Sequence, residues 1–131
     1  MKRLLWLVPL LAACHFGKPI TRVDIQEGLP PLPSQVPSQL GPIPIVWVDS
    51  LTDEHGRPLA GGYHSMRRTI YLRRSITSRR MQHYVAHHER CHAVLLDGGL
   101  DNIIPSAMVQ AICDAFAQDR VAEMLLANKR N

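Results

Sequence analysis

No stretch of this 131-residue chain is long and apolar enough to cross a bilayer as a stable helix, because the N-terminal run Leu4 to Leu11 is short and broken at Pro9. A transmembrane anchor is therefore excluded as the reading of that run. No internal repeat is visible, which argues against a solenoid. Cysteine is scarce, with three in all. An excess of one charge is lacking too: the formal net charge is +4, and Lys2 and Arg3 supply two of those units. What remains gives no ground for a nucleic-acid partner. The conspicuous basic pairs, Arg67-Arg68, Arg73-Arg74 and Arg79-Arg80, flank a strand and a helix start and read as solvated edges and caps.

What is present at the N-terminus is a short positive region, an apolar stretch and small residues before a cysteine, the pattern of a secretory signal peptide over residues 1–13. Leu11-Ala12-Ala13-Cys14 resembles a bacterial lipobox, which implies that Cys14 is acylated and becomes the mature N-terminus. In Gram-negative lipoproteins an Asp after the acylated Cys favours the inner membrane, and His15 stands there instead. The resemblance thus implies a lipid-anchored envelope protein, on the outer rather than the inner membrane. Cys91 and Cys113 are then left in an oxidising compartment, where a bridge would staple two helices. Two small buried thiols are the alternative.

Residues 14–42 hold Pro19, Pro30, Pro31, Pro33, Pro37 and Pro42 among polar residues without a sustained apolar period, and read as a tether. The folded domain is expected over residues 43–131. Ile45 to Val48 is a β-rich run, Asp49 to Gly62 is turn-prone, and Tyr63 to Met66 with Thr69 to Leu72 form a hairpin around Arg67-Arg68. A helix capped by Ser75 or Thr77 follows over about 77–97. Its stripe is Met81, Tyr84, Val85, His88, His92 and Leu95, and Gly98-Gly99 ends it. A second helix opens at Pro105 and runs to about 128. The expected class is α+β, a small three-stranded sheet packed on two helices.

His88-Glu89-Arg90-Cys91-His92 is the informative stretch. Residues i and i+4 of a helix share a face, so His88 and His92 can grip one metal ion, with Glu89 able to reach a water on it. Two inward imidazoles on an apolar face need a shared partner, and a metal supplies one. His83 and His87 form a second i, i+4 pair without a following Glu, and read as surface or supporting histidines.

A catalytic zinc usually takes three protein ligands and leaves a position for water. The second helix carries the stripe Ile103, Ala107, Ala111, Asp114, Gln118, Val121 and Leu125, on which Asp114 is the only charge. Either that face meets solvent or something cationic meets Asp114. The expected metal set is His88, His92 and Asp114, with Glu123, Asp97, Asp101 and Asp119 as alternative third ligands.

A His-Glu-x-x-His helix preceded by a strand and followed by an acidic residue in the next helix resembles the zincin metallopeptidases. Cys113-Asp114-Ala115-Phe116-Ala117 is similar to the second helix of the compact ImmA/IrrE kind. Those relatives usually bring a Glu as third ligand where this chain has Gln110 and Ala111, so Asp114 would serve as Asp does in the aspzincins. The resemblance implies a Zn2+-dependent peptidase with a peptide or protein substrate and with Glu89 as general base. It further implies a strand, here Thr69 to Leu72, that takes the substrate as an extra strand. Tyr63, His64, Tyr71 and His83 are the candidates for steadying the oxyanion. Two other readings compete: a zinc-binding but inactive envelope lipoprotein with a structural or partner-binding role, and an envelope lipoprotein without metal.

Overall fold

The computed structural model describes residues 28–130; the expected signal peptide, Cys14 and His15 lie outside the described residues. In chain order the elements are β1 (Gln35–Val36), β2 (Ile43–Val48), β3 (Gly61–His64), β4 (Thr69–Arg73), α1 (Arg79–Asp97), a 3-10 turn (Leu100–Asn102) and α2 (Ser106–Lys129). The class is α+β. The sheet has four strands in the order β1-β2-β4-β3, one more than expected. Its outer pairs are antiparallel and its central pair, β2 with β4, is parallel.

The additional strand comes from the Pro-rich stretch read as a tether. Two residues long, β1 is too short to carry a legible alternation, yet Val36 is buried and pairs with Ile43. Leu29 is buried as well, and its carbonyl accepts from the Arg79 guanidinium at 2.9 Å. Residues 28–42 are thus laid against the domain, whose edge lies well before Ile43.

In β2, buried Ile43 and Ile45 alternate with exposed Pro44 and Val46, the period of a half-buried strand. β3 and β4 form the expected hairpin, whose turn places Arg68 at a φ of 46°. A non-glycine residue in that region costs energy. Arg68 is secured there by its guanidinium, 2.7 Å from Asp97 and 2.9 Å from the Ser38 hydroxyl. Because β4 has a partner on each side, its edges are both used. The edge next to the motif helix is β3, which corrects the expectation for Thr69 to Leu72.

The Ser78 hydroxyl caps α1, accepting from the Met81 N–H at 3.2 Å, where Ser75 or Thr77 was expected. α1 lies between the sheet and α2. Val85, Ala86 and Ala93 join Ile45, Tyr63, Ile70 and Leu72 in the main core, and Cys91 meets Val109 and Cys113 in a second one. Gly61 lets β3 approach α1 closely, since a Cβ there would meet the Val85 side chain. The Cys91–Cys113 disulfide, with Cα atoms 5.4 Å apart, joins α1 to α2.

That bond and the Val109 contact set the rotation of α2. Its buried positions are Val109, Cys113, Ala117 and Val121, whereas Ala107, Ala111 and Gln118 of the expected stripe are exposed. Apolar side chains surround this helix, Met108, Ile112 and Leu126 being exposed, so periodicity alone could not fix which face turns inward. Among the described residues no helix is long and apolar enough to cross a membrane.

Candidate metal centre

The site is built where α1 and α2 face one another, on the half of α1 turned from the sheet. His88 and His92, one turn apart, bring their Nε2 atoms to 3.1 Å. Two imidazoles bound to one tetrahedral zinc at about 2.0–2.1 Å would place those nitrogens roughly 3.3 Å apart. The pair thus has the spacing of shared metal ligands. His88 is wholly buried.

Three side chains hold the two rings. Asp114 Oδ1 lies 2.9 Å from His88 Nδ1 and accepts from the Tyr84 hydroxyl at 2.7 Å. Gln110 Oε1 lies 3.1 Å from His88 Nε2 and is in hydrogen-bond contact with His92 as well. Asp114 therefore sits behind His88, at the nitrogen turned from His92, while Gln110 stands on the side where the two Nε2 atoms meet. Burial pushes the His92 imidazole down to about 3, the neighbouring His88 adds to this, and the Gln110 contact opposes it. His92 is accordingly a neutral ring, the form that ligates metal.

Glu89 is fully buried, and neither carboxyl oxygen has a hydrogen-bond partner that meets full geometry. Burial pushes its carboxyl up to about 8, and the Tyr63 backbone N–H on β3 acts in the other direction. A buried carboxyl without a partner is costly and is the kind of exception that functional sites retain.

Among the described residues, no group of three His, Cys, Asp or Glu side chains converges as a metal cluster. The two imidazoles do converge, and the side chain beside both of them is that of Gln110, whose amide lies outside that set of residue types. Each alternative acid is placed elsewhere. Asp97 is taken by Arg68, Glu123 pairs with Arg120 at 3.3 Å, and Asp101 and Asp119 are exposed.

Of the two places expected for the other histidines, surface or supporting, His83 does not take the surface one: it is buried, with Nε2 2.7 Å from the Pro30 carbonyl. His87 stacks on His83 and meets Phe116 edge-on, and burial with the nearby Arg90 pushes it down to about 4. Of the oxyanion candidates, Tyr63 is buried in the core, His64 Nδ1 accepts from the Arg67 N–H at 3.2 Å, and the Tyr71 hydroxyl lies 3.2 Å from the Arg67 guanidinium. Sequence reasoning missed the roles of Tyr84 and Gln110. Their signal was spacing: Tyr84 precedes His88, and Gln110 precedes Asp114, by one helical turn.

Comparison with protein-family models, curated proteins and solved structures found no match to this chain.

Proposed function

We propose that this chain is a zinc-dependent peptidase of the zincin kind, tethered to the cell envelope through Cys14, in which Glu89 is the general base. The observation that carries the reading is the pair of Nε2 atoms 3.1 Å apart on His88 and His92, with the buried, unpartnered Glu89 between them in sequence. His88 and His92 would hold the ion with a third donor from α2. A bound zinc ion supplies acidity to a water molecule and polarisation to a peptide carbonyl.

The remaining steps belong to the chain's own side chains. Glu89 takes a proton from the attacking water and returns it to the leaving amine, so that it ends the cycle as it began. Asp114 Oδ1, 2.9 Å from His88 Nδ1, favours the tautomer with its proton on that nitrogen and so leaves Nε2 to face the ion. A peptide in extended form would add to β3, Gly61–His64, the outer strand that packs against α1. Since the domain is small, a broad shallow groove is expected, with no single tightly preferred cleavage sequence.

The test compares wild type with Glu89→Gln on a mixed peptide library. The variant should keep its zinc and lose about 10²–10⁴-fold in hydrolysis. Zinc retention by both proteins with no hydrolysis by either would instead make the domain an inactive zinc-binding module.

A further inference from the structure

We propose that Gln110, rather than Asp114, supplies the third protein donor of the metal centre, and that Asp114 acts on it only as a positioning residue behind His88. The inference rests on the reading of His88 and His92 as metal ligands and departs from the acidic third ligand that the sequence leads one to expect.

His88 shows two faces to α2. At Nδ1, 2.9 Å away, is Asp114 Oδ1; at Nε2, 3.1 Å away, is Gln110 Oε1. A carboxylate can only accept, so Asp114 beside Nδ1 favours the tautomer that carries its proton there and turns Nε2 to a metal. Gln110 Oε1 and His92 Nε2 each lie 3.1 Å from that nitrogen, so the two rings and the amide oxygen converge on one point. A proton there joins two of these atoms at a time, whereas a metal ion accepts a lone pair from all three.

Helix geometry explains how both α2 residues reach one ring. Gln110 and Asp114 are separated by one turn and stack on one flank of α2, so they meet the two nitrogens of His88 in succession. Cys113, bonded to Cys91 between the motif residues, fixes that flank against α1. Asp114 Oδ1 is also anchored by the Tyr84 hydroxyl, which keeps it at the Nδ1 side.

The chemical consequence is a donor set with no negative charge. Two imidazoles and an amide oxygen leave a divalent ion its full +2, where a carboxylate in place of the amide would leave +1. Such a centre binds its metal less firmly and holds anionic ligands, carboxylates included, more firmly in the open position.

The test uses zinc affinity, from competition with a chromophoric chelator, and the visible absorption of the Co(II)-loaded protein, which reports the donor set without turnover. Gln110→Glu, nearly isosteric, should bind both ions at least about tenfold tighter, since it adds a unit of opposite charge, and should shift the Co(II) bands. Gln110→Ala should weaken binding and shift them. Asp114→Asn should leave the bands in place and weaken binding by no more than about 10–100-fold, as for a residue acting through a ligand, and Asp114→Ala should lose more than Asp114→Asn. Melting of each metal-free variant checks that a loss of affinity is not a loss of fold. Unchanged affinity and spectrum in both Gln110 variants, together with abolished binding in Asp114→Asn, would overturn the assignment while leaving the His88–His92 centre intact. Wild type that binds no more metal than a His88→Ala/His92→Ala variant would overturn the metal reading, and this inference with it.

Discussion

Breaking the Cys91–Cys113 bond should weaken the fold and the metal centre together. The bond closes a loop of 22 residues in sequence between the helix that carries His88 and His92 and the helix that carries Gln110 and Asp114. On the chain-entropy relation, a loop of that length is worth about 3 kcal/mol at 25 °C. For a domain of this size that corresponds to a fall in melting temperature on the order of 10–20 °C. The same bond sets the rotation of α2, so its loss also frees Gln110 and Asp114 from register with His88. The assay is chemical denaturation of the metal-free Cys91→Ala/Cys113→Ala variant and of reduced wild type beside the oxidised protein, followed by zinc affinity of the double variant. Stability should fall by about that amount in reduced wild type and at least as far in the double variant, which also removes two buried sulfur atoms. Zinc affinity should fall with it. If reduction leaves stability and the double variant leaves zinc affinity unchanged, helix packing alone sets the site and the reasoning fails.

Gly61→Ala should destabilise the domain by about 1–3 kcal/mol, since the new methyl meets the Val85 side chain and stands 3.0 Å from Leu72 and 3.1 Å from the Tyr71 carbonyl. Equilibrium urea unfolding reads this directly, and an unchanged midpoint would show that β3 can move off α1. At Asp53, burial pushes the carboxyl up, but hydrogen bonds from the Arg57 and His55 backbone and the Arg57 guanidinium outweigh it and hold the carboxyl below its ordinary 3.8. A lowered folded-state value means stability present above about pH 4 and lost as pH falls through that value. Asp53→Asn should therefore flatten the acid limb of melting temperature against pH, and an acid limb as steep as that of wild type would contradict the assignment.

The local part of the site was legible in the sequence because its spacing is local. His88, Glu89 and His92 lie on one helix, and that helix could be placed from its apolar stripe and the glycines that end it. The place of Gln110 beside the two histidines was not legible, because it depends on the rotation of α2. With apolar residues on every side of that helix, periodicity favoured the Ala107–Ala111–Asp114 line, whereas Val109 and Cys113 turn inward and bring Gln110 to the centre. Strand order was hidden for a related reason. Alternation reveals that Thr69–Arg73 is a strand, but only pairing with both β2 and β3 shows that it is not an edge. In the Pro-rich segment, packing of Leu29 and Val36 overrides a composition that reads as tether. The burial of His83 was not legible because the carbonyl at its Nε2 belongs to that same segment.

On the proposed function, His88 and His92 share one metal ion. Zinc per chain, measured by native mass spectrometry on protein loaded and then dialysed against buffer, tests it most directly. Wild type and Glu89→Gln should each carry one zinc, and His88→Ala and His92→Ala none. Equal zinc in wild type and His92→Ala, or none in wild type, would contradict it.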